Sequence, residues 1–593
     1  MFRFMRKPYV LNLLCLFVLA LVPLAGLPQS SAVLPTVMTV SAPMRDGVKL
    51  QGDVFLPAQP GRYPVILELT PYGRGEDGIN YRSDAPYWTQ RGYAMALFDT
   101  RGQGGSGGSF RFMADGEDGA DLVEWLARQP WSSGAVGMLG SSYTGTNQWH
   151  TAKERPPALK CITPAAAWRH PFQSTPYPGG ALLFRWALTW PALLSDAKVD
   201  RSKRPDWVAL LQHQPLSSAD LFTFGNPLRL YQELLAHPTF DDYWRSRVLT
   251  PLDFKGITIP ALMFTGYLDE LHPDTVANFQ ALQRHSPARG SRYLVIGPWE
   301  HATVVDAGLD YRESYRPARQ VRNLNLPDQA FLNSKDIYGR FFDWCLKGGS
   351  RFEQAPVRIY LTGSNRWLDL PTYPPPAAHD KMLYLTSAGH ANGLSGDGRL
   401  SWQAPDAHQP PDRYVFDPLQ PGIRPNGGAD MVDLRNELER LDVLVYVTEP
   451  LAQPLTVAGN VRLELFAATD GRDTDWAARL EDVAPDGSAM RIGVGPAALV
   501  RARYRQGFAR ETLLTPNKQY TYSLDFHEVG HTFLRGHRLR LSLSSAAYPW
   551  VYPNPNTGNP LATDTAPPRK ARQTIFHHRQ APSRLRLPIL AEP

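Results

Sequence analysis

Cysteine is scarce in this chain, whose 593 residues include only Cys15, Cys161 and Cys345. Three are too few for a disulfide framework or for a zinc site built from thiolates. Cys161 and Cys345 could form one bridge or none. Basic stripes interleaved with aromatic residues are also lacking, because lysine and arginine are scattered along the sequence. This excludes nucleic acid as an expected partner.

Long apolar runs are confined to the N-terminus. Arg3, Arg6 and Lys7 precede an apolar stretch at 11–27, and small residues follow at 30–32. This order is typical of a secretory signal peptide, with an uncleaved anchor as the alternative. Either predicts export, periplasmic or secreted, and no membrane association is expected after signal cleavage. Loss of residues 1–32 would lower the formal net charge from +6 to +3, because three basic and no acidic side chains would go.

The length exceeds what a single hydrophobic core serves, so two or three domains are expected. Short apolar runs suit strands that are buried on both faces of a parallel sheet, and helical patterns separate some of them. The runs lie at 65–69, 93–98, 135–139, 261–264 and 293–296, and the helical patterns at 119–128 and 274–284. The alternation predicts an α/β sheet.

Two further regions differ from this pattern. Residues 147–250 show no clear strand, so we interpret them as an inserted helical cap whose aromatic residues wall a pocket or form the cap's own core. These aromatic residues are Trp168, Phe172, Tyr177, Trp186, Trp190 and Trp244. After residue 350, many short strands, the first at 357–362, predict a jelly roll. The predicted domains are a signal peptide (1–32), an α/β domain (33–146 and 251–350), the cap (147–250) and the jelly roll (351–593).

A nucleophile elbow is predicted at Gly137-Met138-Leu139-Gly140-Ser141-Ser142-Tyr143-Thr144-Gly145. An apolar run ends there in glycine and serine and opens into a helical segment. The residues beside an elbow serine must be small, because strand and helix approach closely. Ser142 has Gly140 two residues before it, whereas Ser141 would have the bulky Leu139. We therefore expect Ser142 to be the nucleophile.

A hydrolase serine needs a general base and a carboxylate that orients it, which follow in the order acid and histidine on loops after later strands. Asp269 comes just after the apolar run at 261–264, and His301 just after the run at 293–296. Ligands of open α/β sheets bind at the carboxyl ends of such strands. The sequence thus predicts a triad of Ser142, Asp269 and His301, and an α/β-hydrolase fold for the domain at 33–146 and 251–350.

Together these segments resemble the CocE/NonD hydrolases, from residue 37 to about 590. The motifs that carry the resemblance are Met44-Arg45-Asp46-Gly47, Thr70-Pro71-Tyr72, Asp99-Thr100-Arg101-Gly102, Gly140 to Gly145, Gly266-Tyr267-Leu268-Asp269, Gly297-Pro298-Trp299-Glu300-His301, Gly536-His537-Arg538-Leu539-Arg540 and Asn554-Pro555-Asn556-Thr557-Gly558. The resemblance implies an oxyanion hole formed by the Tyr72 phenol and the backbone N–H of Tyr143. It also implies cleavage of a small-molecule ester or amide through an acyl-enzyme, without metal or organic cofactor. The oligomeric state stays open.

Other motifs suggest other classes of protein. His527-Glu528-Val529-Gly530-His531, with His537 beyond it, matches the H-E-x-x-H pattern of zinc peptidases, but the flanking segments look like strands and Gly530 weakens a helix. Gly102 to Gly107 matches G-x-G-x-x-G, yet no helix is expected directly after it. A non-catalytic binding protein on a hydrolase fold is a third alternative, although all three triad residues are present.

Within the family, α-amino acid ester hydrolases carry a carboxylate cluster just after the catalytic aspartate. The corresponding positions here are Leu271 and His272, with Glu270 one residue away. We therefore expect a general acyl esterase or acylase, with an α-amino acid ester hydrolase or an Xaa-Pro dipeptidyl-peptidase as the alternative. Asp196 or Asp200 of the cap could supply the missing carboxylate.

Overall fold

The computed structural model describes residues 35–74, 81–195, 199–200, 203–288, 290–301, 304, 320–321, 324–422, 438–495 and 497–591. The predicted signal segment, residues 1–32, lies outside the described residues. Among the residues described, no helix is both long enough and apolar enough to cross a bilayer.

The first twelve described strands lie between residues 36 and 370. In chain order they are β1 (Thr36–Pro43), β2 (Lys49–Leu56), β3 (Tyr63–Thr70), β4 (Ala94–Asp99), β5 (Ser132–Ser141), β6 (Leu159–Ala165), β7 (Ala261–Gly266), β8 (Arg292–Gly297), β9 (Gln320–Val321), β10 (Leu324–Asn325), β11 (Val357–Leu361) and β12 (Arg366–Leu370). All except β9 and β10, which pair with each other, form one sheet in the order β1-β2-β4-β3-β5-β6-β7-β8-β11-β12. Its pairs from β4–β3 to β8–β11 are parallel.

Helices cover this sheet on both faces. The described α-helices are α1 (Ala85–Gln90), α2 (Gly116–Ala127), α3 (Tyr143–Lys153), α4 (Phe184–Leu193), α5 (Trp207–Gln212), α6 (Ala219–Phe224), α7 (Arg229–Ala236), α8 (Asp242–Arg245), α9 (Pro251–Gly256), α10 (His272–His285) and α11 (Ser334–Lys347). Successive β3 residues alternate between two cores: Ile66 packs with α1 and α11, whereas Val65 and Leu67 pack with α2, α3 and α10. The predicted α/β-hydrolase sheet is confirmed.

Two segments differ from the sequence expectation. Residues 147–250 do contain a strand, because β6 lies between β5 and β7 in the sheet, so the helical cap region follows Ala165. The strand predicted at 357–362 belongs to the first sheet rather than to the jelly roll, since β11 pairs with β8 in parallel. The strand β6 was missed because Lys160, Thr163 and Pro164 interrupt its apolar pattern. The strand β11 was recognised but placed in the wrong sheet, because a short buried strand carries no signal for the sheet that it joins.

The remaining strands form an all-β domain of the predicted jelly-roll class. They are β13 (Ala378–Thr386), β14 (Arg399–Ser401), β15 (Asp412–Phe416), β16 (Leu444–Val447), β17 (Leu455–Thr469), β18 (Asp475–Val483), β19 (Ala489–Ile492), β20 (Ala498–Arg501), β21 (Tyr520–Phe533), β22 (Arg538–Ser544), β23 (Ala571–Phe576) and β24 (Arg584–Leu590). Their order is β15-β23-β17-β24-β13-β14-β16-β22-β18-β19, with β20 beside β18 and β21 beside β17. Alternating residues such as Leu463 and Leu465 fill one core.

Cys161 and Cys345 form a disulfide, which decides between the two alternatives that the sequence left open. Cys161 lies in β6 and Cys345 in α11, so the bond fastens the sheet to the helix packed on it across a sequence separation of 184 residues.

Candidate active site

Ser142 lies at the turn from β5 into α3 with φ 59° and ψ −123°. A positive φ is uncommon for a residue with a side chain and marks local strain, as a nucleophile elbow requires. A Cβ at Gly140 would overlap the Thr144 hydroxyl, and one at Gly145 would overlap the Ala165 carbonyl oxygen. These two glycines let strand and helix approach and hold the Ser142 hydroxyl at the tip of the turn.

His301 connects Ser142 to Asp269. Its Nε2 lies 3.0 Å from Ser142 Oγ, and its Nδ1 lies 3.0 Å from Asp269 Oδ1. Asp269 follows β7 and is fully buried, and its Oδ1 also accepts the Leu271 N–H at 2.7 Å. The His301 side chain, after β8, stays 32% exposed. The three predicted triad residues are thus brought together in a continuous hydrogen-bonded chain, open to solvent at the histidine.

Tyr72 follows β3 and points its phenol at the same place. The phenol accepts the Trp190 Nε1–H at 3.3 Å and hydrogen-bonds with Ser142. Burial raises the pKa of Tyr72 above its usual value, so the phenol keeps its proton and stays a donor. This is the property that an oxyanion donor needs.

Tyr143, the first residue of α3, is held firmly by its side chain. Its hydroxyl donates to Asp115 Oδ2 at 2.6 Å and accepts the Met113 N–H at 2.9 Å. Burial raises the pKa of Asp115 to about 7. Because Tyr143 is the first residue of α3, these side-chain contacts also fix the position of its backbone N–H. Asp115 was not a sequence candidate, because an acid near a helix start is a common capping residue.

A cluster of aromatic side chains lies against Tyr72 and Tyr143, the two neighbours of Ser142 described above. The rings of Trp186 and Trp190 stack with centroids 4.9 Å apart, and Tyr143 stacks on Trp190 at 6.3 Å. Trp168 contacts both indoles. Trp186 and Trp190 lie in α4, and Trp168 follows β6, so the cap region supplies an apolar, aromatic wall next to the Tyr72 phenol.

Glu270 lies beside the triad. One of its oxygens is within 4.8 Å of an Asp269 oxygen and a His301 ring nitrogen, and this is the one cluster of metal-type ligands among the described residues. Both nitrogens of His301 already face Asp269 and Ser142. The geometry is therefore that of a proton relay rather than of a set of ligands that converge on one ion.

The sequence predicted strands only on either side of the H-E-x-x-H segment, and the structure places the segment itself in strand β21. His531 Nε2 lies 3.0 Å from Asp482 Oδ2, and His537 Nδ1 lies 2.8 Å from Asp482 Oδ1. His527 and His531 are four positions apart in an extended chain with a bulge opposite Val461. They do not share one helix face as a zinc peptidase requires.

The glycine loop at 102–107 is also not a nucleotide site. The next helix, α2, begins only at Gly116. Asp99 binds the loop instead, accepting the Gly105 N–H at 2.9 Å. A dinucleotide fingerprint would open directly into a helix.

The positions of the family's carboxylate cluster hold no acid. Leu271 is 2% exposed and packs in the core, and His272 is fully buried. Burial lowers the pKa of His272 to about 3, so this imidazole stays neutral. Asp196 lies outside the described residues, and Asp200 is exposed.

Comparisons with known proteins identify the family of each half of the chain. Residues 46–303 match the family of X-Pro dipeptidyl-peptidase (S15 family), and residues 351–586 match the X-Pro dipeptidyl-peptidase C-terminal non-catalytic domain. The second match includes β11 and β12, although these strands join the first sheet.

Three relatives match nearly the whole chain. The cocaine esterase of Rhodococcus sp. (strain MB1 Bresler) is 31% identical over 93% of this chain and 98% of its own. The structure of an aminopeptidase from the marine sediment archaeon Thaumarchaeota archaeon has a TM-score of 0.81 and 26% identity, covering 96% of this chain and 99% of its own. An α-amino acid ester hydrolase structure has a TM-score of 0.81 and 27% identity, covering 96% and 100%. This chain therefore belongs to the CocE/NonD family of serine hydrolases.

Proposed function

We propose that this protein is an exported acyl esterase or acylase in which Ser142, His301 and Asp269 form the catalytic triad. The observation that carries the proposal is the hydrogen-bonded chain from Asp269 through His301 to a serine on a strained elbow. A serine hydroxyl is a weak nucleophile until an imidazole takes its proton. Both contacts of His301 have the length that this transfer requires.

In the proposed reaction, Ser142 Oγ attacks the carbonyl carbon while its proton passes to His301 Nε2. Asp269 keeps the Nδ1–H of His301 directed and stabilises the imidazolium. The oxyanion accepts hydrogen bonds from the Tyr72 phenol and the Tyr143 N–H. His301 then gives its proton to the leaving group, and an acyl group remains on Ser142. A water molecule, deprotonated by His301, releases the acid.

The substrate is proposed to be a small molecule with an apolar acyl group. Trp168, Trp186 and Trp190 form an aromatic cluster that reaches the Tyr72 phenol through Trp190, which favours an apolar or aromatic acyl chain. The positions of Leu271 and His272 offer no carboxylate for an α-ammonium group. This favours the esterase or acylase branch over an amino acid ester hydrolase.

Cleavage after Xaa-Pro is the second candidate, since both matched families carry that activity in their names. A panel of substrates separates the branches: simple esters, β-lactam side-chain amides and Xaa-Pro amides, each assayed with wild type and Ser142→Ala. We expect the highest kcat/KM on the esters and loss of all activities in Ser142→Ala. Fastest cleavage of the Xaa-Pro amide would assign the peptidase branch instead.

Export is supported by two independent features. The N-terminal segment has the charge and hydropathy order of a signal peptide. The disulfide between Cys161 and Cys345 is a bond that persists in oxidising compartments. Expression of the full chain, followed by N-terminal sequencing of the protein from periplasm and medium, tests this, and we expect a new N-terminus near residue 33. Intact protein retained inside the cell would contradict export.

A further inference from the structure

Glu68 is a buried acid in the middle of β3, directly beneath the nucleophile elbow. The residue is 4% exposed and is flanked by Leu67 and Leu69, which are fully buried. Its Oε1 lies 3.1 Å from the hydroxyl of Thr144, two residues after Ser142. A carboxyl group in such a place is costly if it is charged and unpaired. Its presence calls for a specific role.

The Thr144 hydroxyl has three polar neighbours. Its Oγ1 lies 2.8 Å from both the N and the carbonyl O of Ser141 and 3.1 Å from Glu68 Oε1. The Ser141 N–H can only donate, so the single hydroxyl hydrogen of Thr144 has two acceptors to choose from, Ser141 O and Glu68 Oε1. With an ionised Glu68, one of these two contacts lacks a hydrogen. A protonated Glu68 satisfies both, because Thr144 then donates to Ser141 O and accepts the O–H of Glu68.

The surroundings of Glu68 favour the neutral acid. Burial and the nearby negative charge of Asp84 raise the pKa of Glu68 well above its usual value. The ammonium of Lys335 lies 3.0 Å from Asp84, and the Tyr338 phenol, whose own pKa is raised by burial and by Glu68, is the other titratable group nearby.

We propose that Glu68 is a positioning residue that, as a neutral acid, clamps the elbow through Thr144 and so fixes Ser142 relative to the Tyr72 phenol. Tyr72 lies four residues after Glu68 on the same segment, so the clamp joins the strand leading to the oxyanion donor with the turn that carries the nucleophile. A second tether runs parallel to it, since Asn147 Nδ2 donates to Leu69 O at 2.5 Å. The inference rests on the proposed roles of Ser142 and Tyr72.

Two substitutions test the clamp, with the rate of fluorophosphonate labelling at Ser142, kcat and KM as readouts. Glu68→Leu keeps the size and removes the donor, so we expect labelling rate and kcat to fall by roughly tenfold to a hundredfold with KM little changed, because small misplacements of reacting groups cost that much. Glu68→Gln retains an N–H donor and should restore the rate to within about threefold of wild type.

Leu463→Ala in the all-β core is the control for loss of stability alone, and its labelling rate should match that of wild type. Labelling of Glu68→Leu at the wild-type rate would overturn the clamp, as would an equal loss in Glu68→Gln. Failure of the wild-type protein to label at Ser142 would instead overturn the proposed function, so the two failures are distinct.

The protonation of Glu68 has its own test, which also serves if Glu68→Leu does not fold. An acid whose folded pKa is raised contributes stability that is fully present below its unfolded pKa and is lost as pH rises towards the folded value. Glu68→Gln does not titrate. Its thermal midpoint should therefore rise relative to that of wild type between pH 5 and pH 9. A difference that shrinks or stays constant with rising pH would overturn the neutral acid.

Discussion

Two histidines of this protein have almost the same hydrogen-bonded neighbours and very different surroundings. In the α/β-hydrolase domain, His301 lies between Asp269 and the Ser142 hydroxyl, at 3.0 Å from each. In the all-β domain, His531 lies between Asp482, at 3.0 Å, and the Thr362 hydroxyl, at 2.8 Å. A search for a carboxylate, an imidazole and a hydroxyl in contact would find both.

The difference lies in access and in the hydroxyl. The His531 side chain is fully buried, whereas that of His301 is 32% exposed. Thr362 Oγ1 also lies 3.1 Å from Gly530 O, and the Thr362 backbone pairs with the end of β21. Ser142 instead stands on a strained turn beside the Tyr72 phenol. Acid, base and hydroxyl become a catalytic set only where a substrate can reach them and where oxyanion donors are in place; elsewhere they fasten two domains together.

The largest effect on kcat should follow from removing the proposed nucleophile or base of the exposed relay, which consists of Asp269, His301 and Ser142. Ser142→Ala and His301→Ala should lower kcat by several orders of magnitude, leaving roughly 10³- to 10⁴-fold catalysis over water from binding and oxyanion donors. Steady-state kinetics on a simple ester, with circular dichroism as the folding control, measures this. If Ser142→Ala kept more than about a tenth of the activity, another hydroxyl, Ser141 first, would have to be the nucleophile.

A smaller loss should follow from removing the phenol that lies beside Ser142. Tyr72→Phe keeps the ring and deletes the phenol oxygen, so kcat should fall by about 10² to 10³ with little change in KM, because one oxyanion donor is lost. The aromatic control is Tyr87→Phe, at a phenol that donates its hydrogen bond to Lys335 O, and it should leave kcat unchanged. A wild-type kcat for Tyr72→Phe would make Tyr72 a packing residue.

Much of the exposed relay could be predicted, because each of its three residues comes directly after a strand that the sequence indicates. Short apolar runs located β5, β7 and β8, and the small residues around Ser142 distinguished it from Ser141. Pairing between strands could not be predicted in the same way. The strand β11 joins the first sheet against expectation, because nothing in a short apolar run identifies the strand with which it pairs. The strand β6 was not recognised as a strand at all.

Contacts between distant side chains were also beyond the sequence. Glu68 lies inside the apolar run of β3, between Leu67 and Leu69, and only the fold brings Thr144 next to it. The Thr362–His531 contact joins residues 169 positions apart. The local pattern did correctly argue against a helix at 527–531, because strand-like segments lie on both sides of it.

A still smaller effect, on substrate preference, is expected at the contact between His272 and strand β21. His272 faces the Glu528 carbonyl of β21 at 3.2 Å and, being neutral, cannot replace the carboxylate that would hold an α-ammonium group. Phenylglycine methyl ester and phenylacetate methyl ester should therefore be cleaved within about tenfold of each other, since a hydrogen bond to a charged group is worth roughly 10- to 100-fold. The ratio of kcat/KM values measures this. A strong preference for the amino ester, abolished in Glu270→Gln, Asp196→Asn or Asp200→Asn, would restore the α-amino branch.

The smallest effect on turnover should come from a substitution in the buried relay, which consists of Asp482, His531 and Thr362. His531→Gln removes one of the two imidazoles that Asp482 contacts and leaves the other, His537, at 2.8 Å. A buried hydrogen-bond partner left unpaired costs about 1–3 kcal/mol, so the free energy of unfolding should fall. The kcat on an ester should stay within about twofold of wild type, and dialysis against a chelator should leave it unchanged. His301→Gln is the crossed control, expected to lose turnover with little loss of stability. Chelator-sensitive activity that zinc restores, together with loss of turnover in a stable His531→Gln protein, would contradict this division and return the histidines of β21 to a metal site.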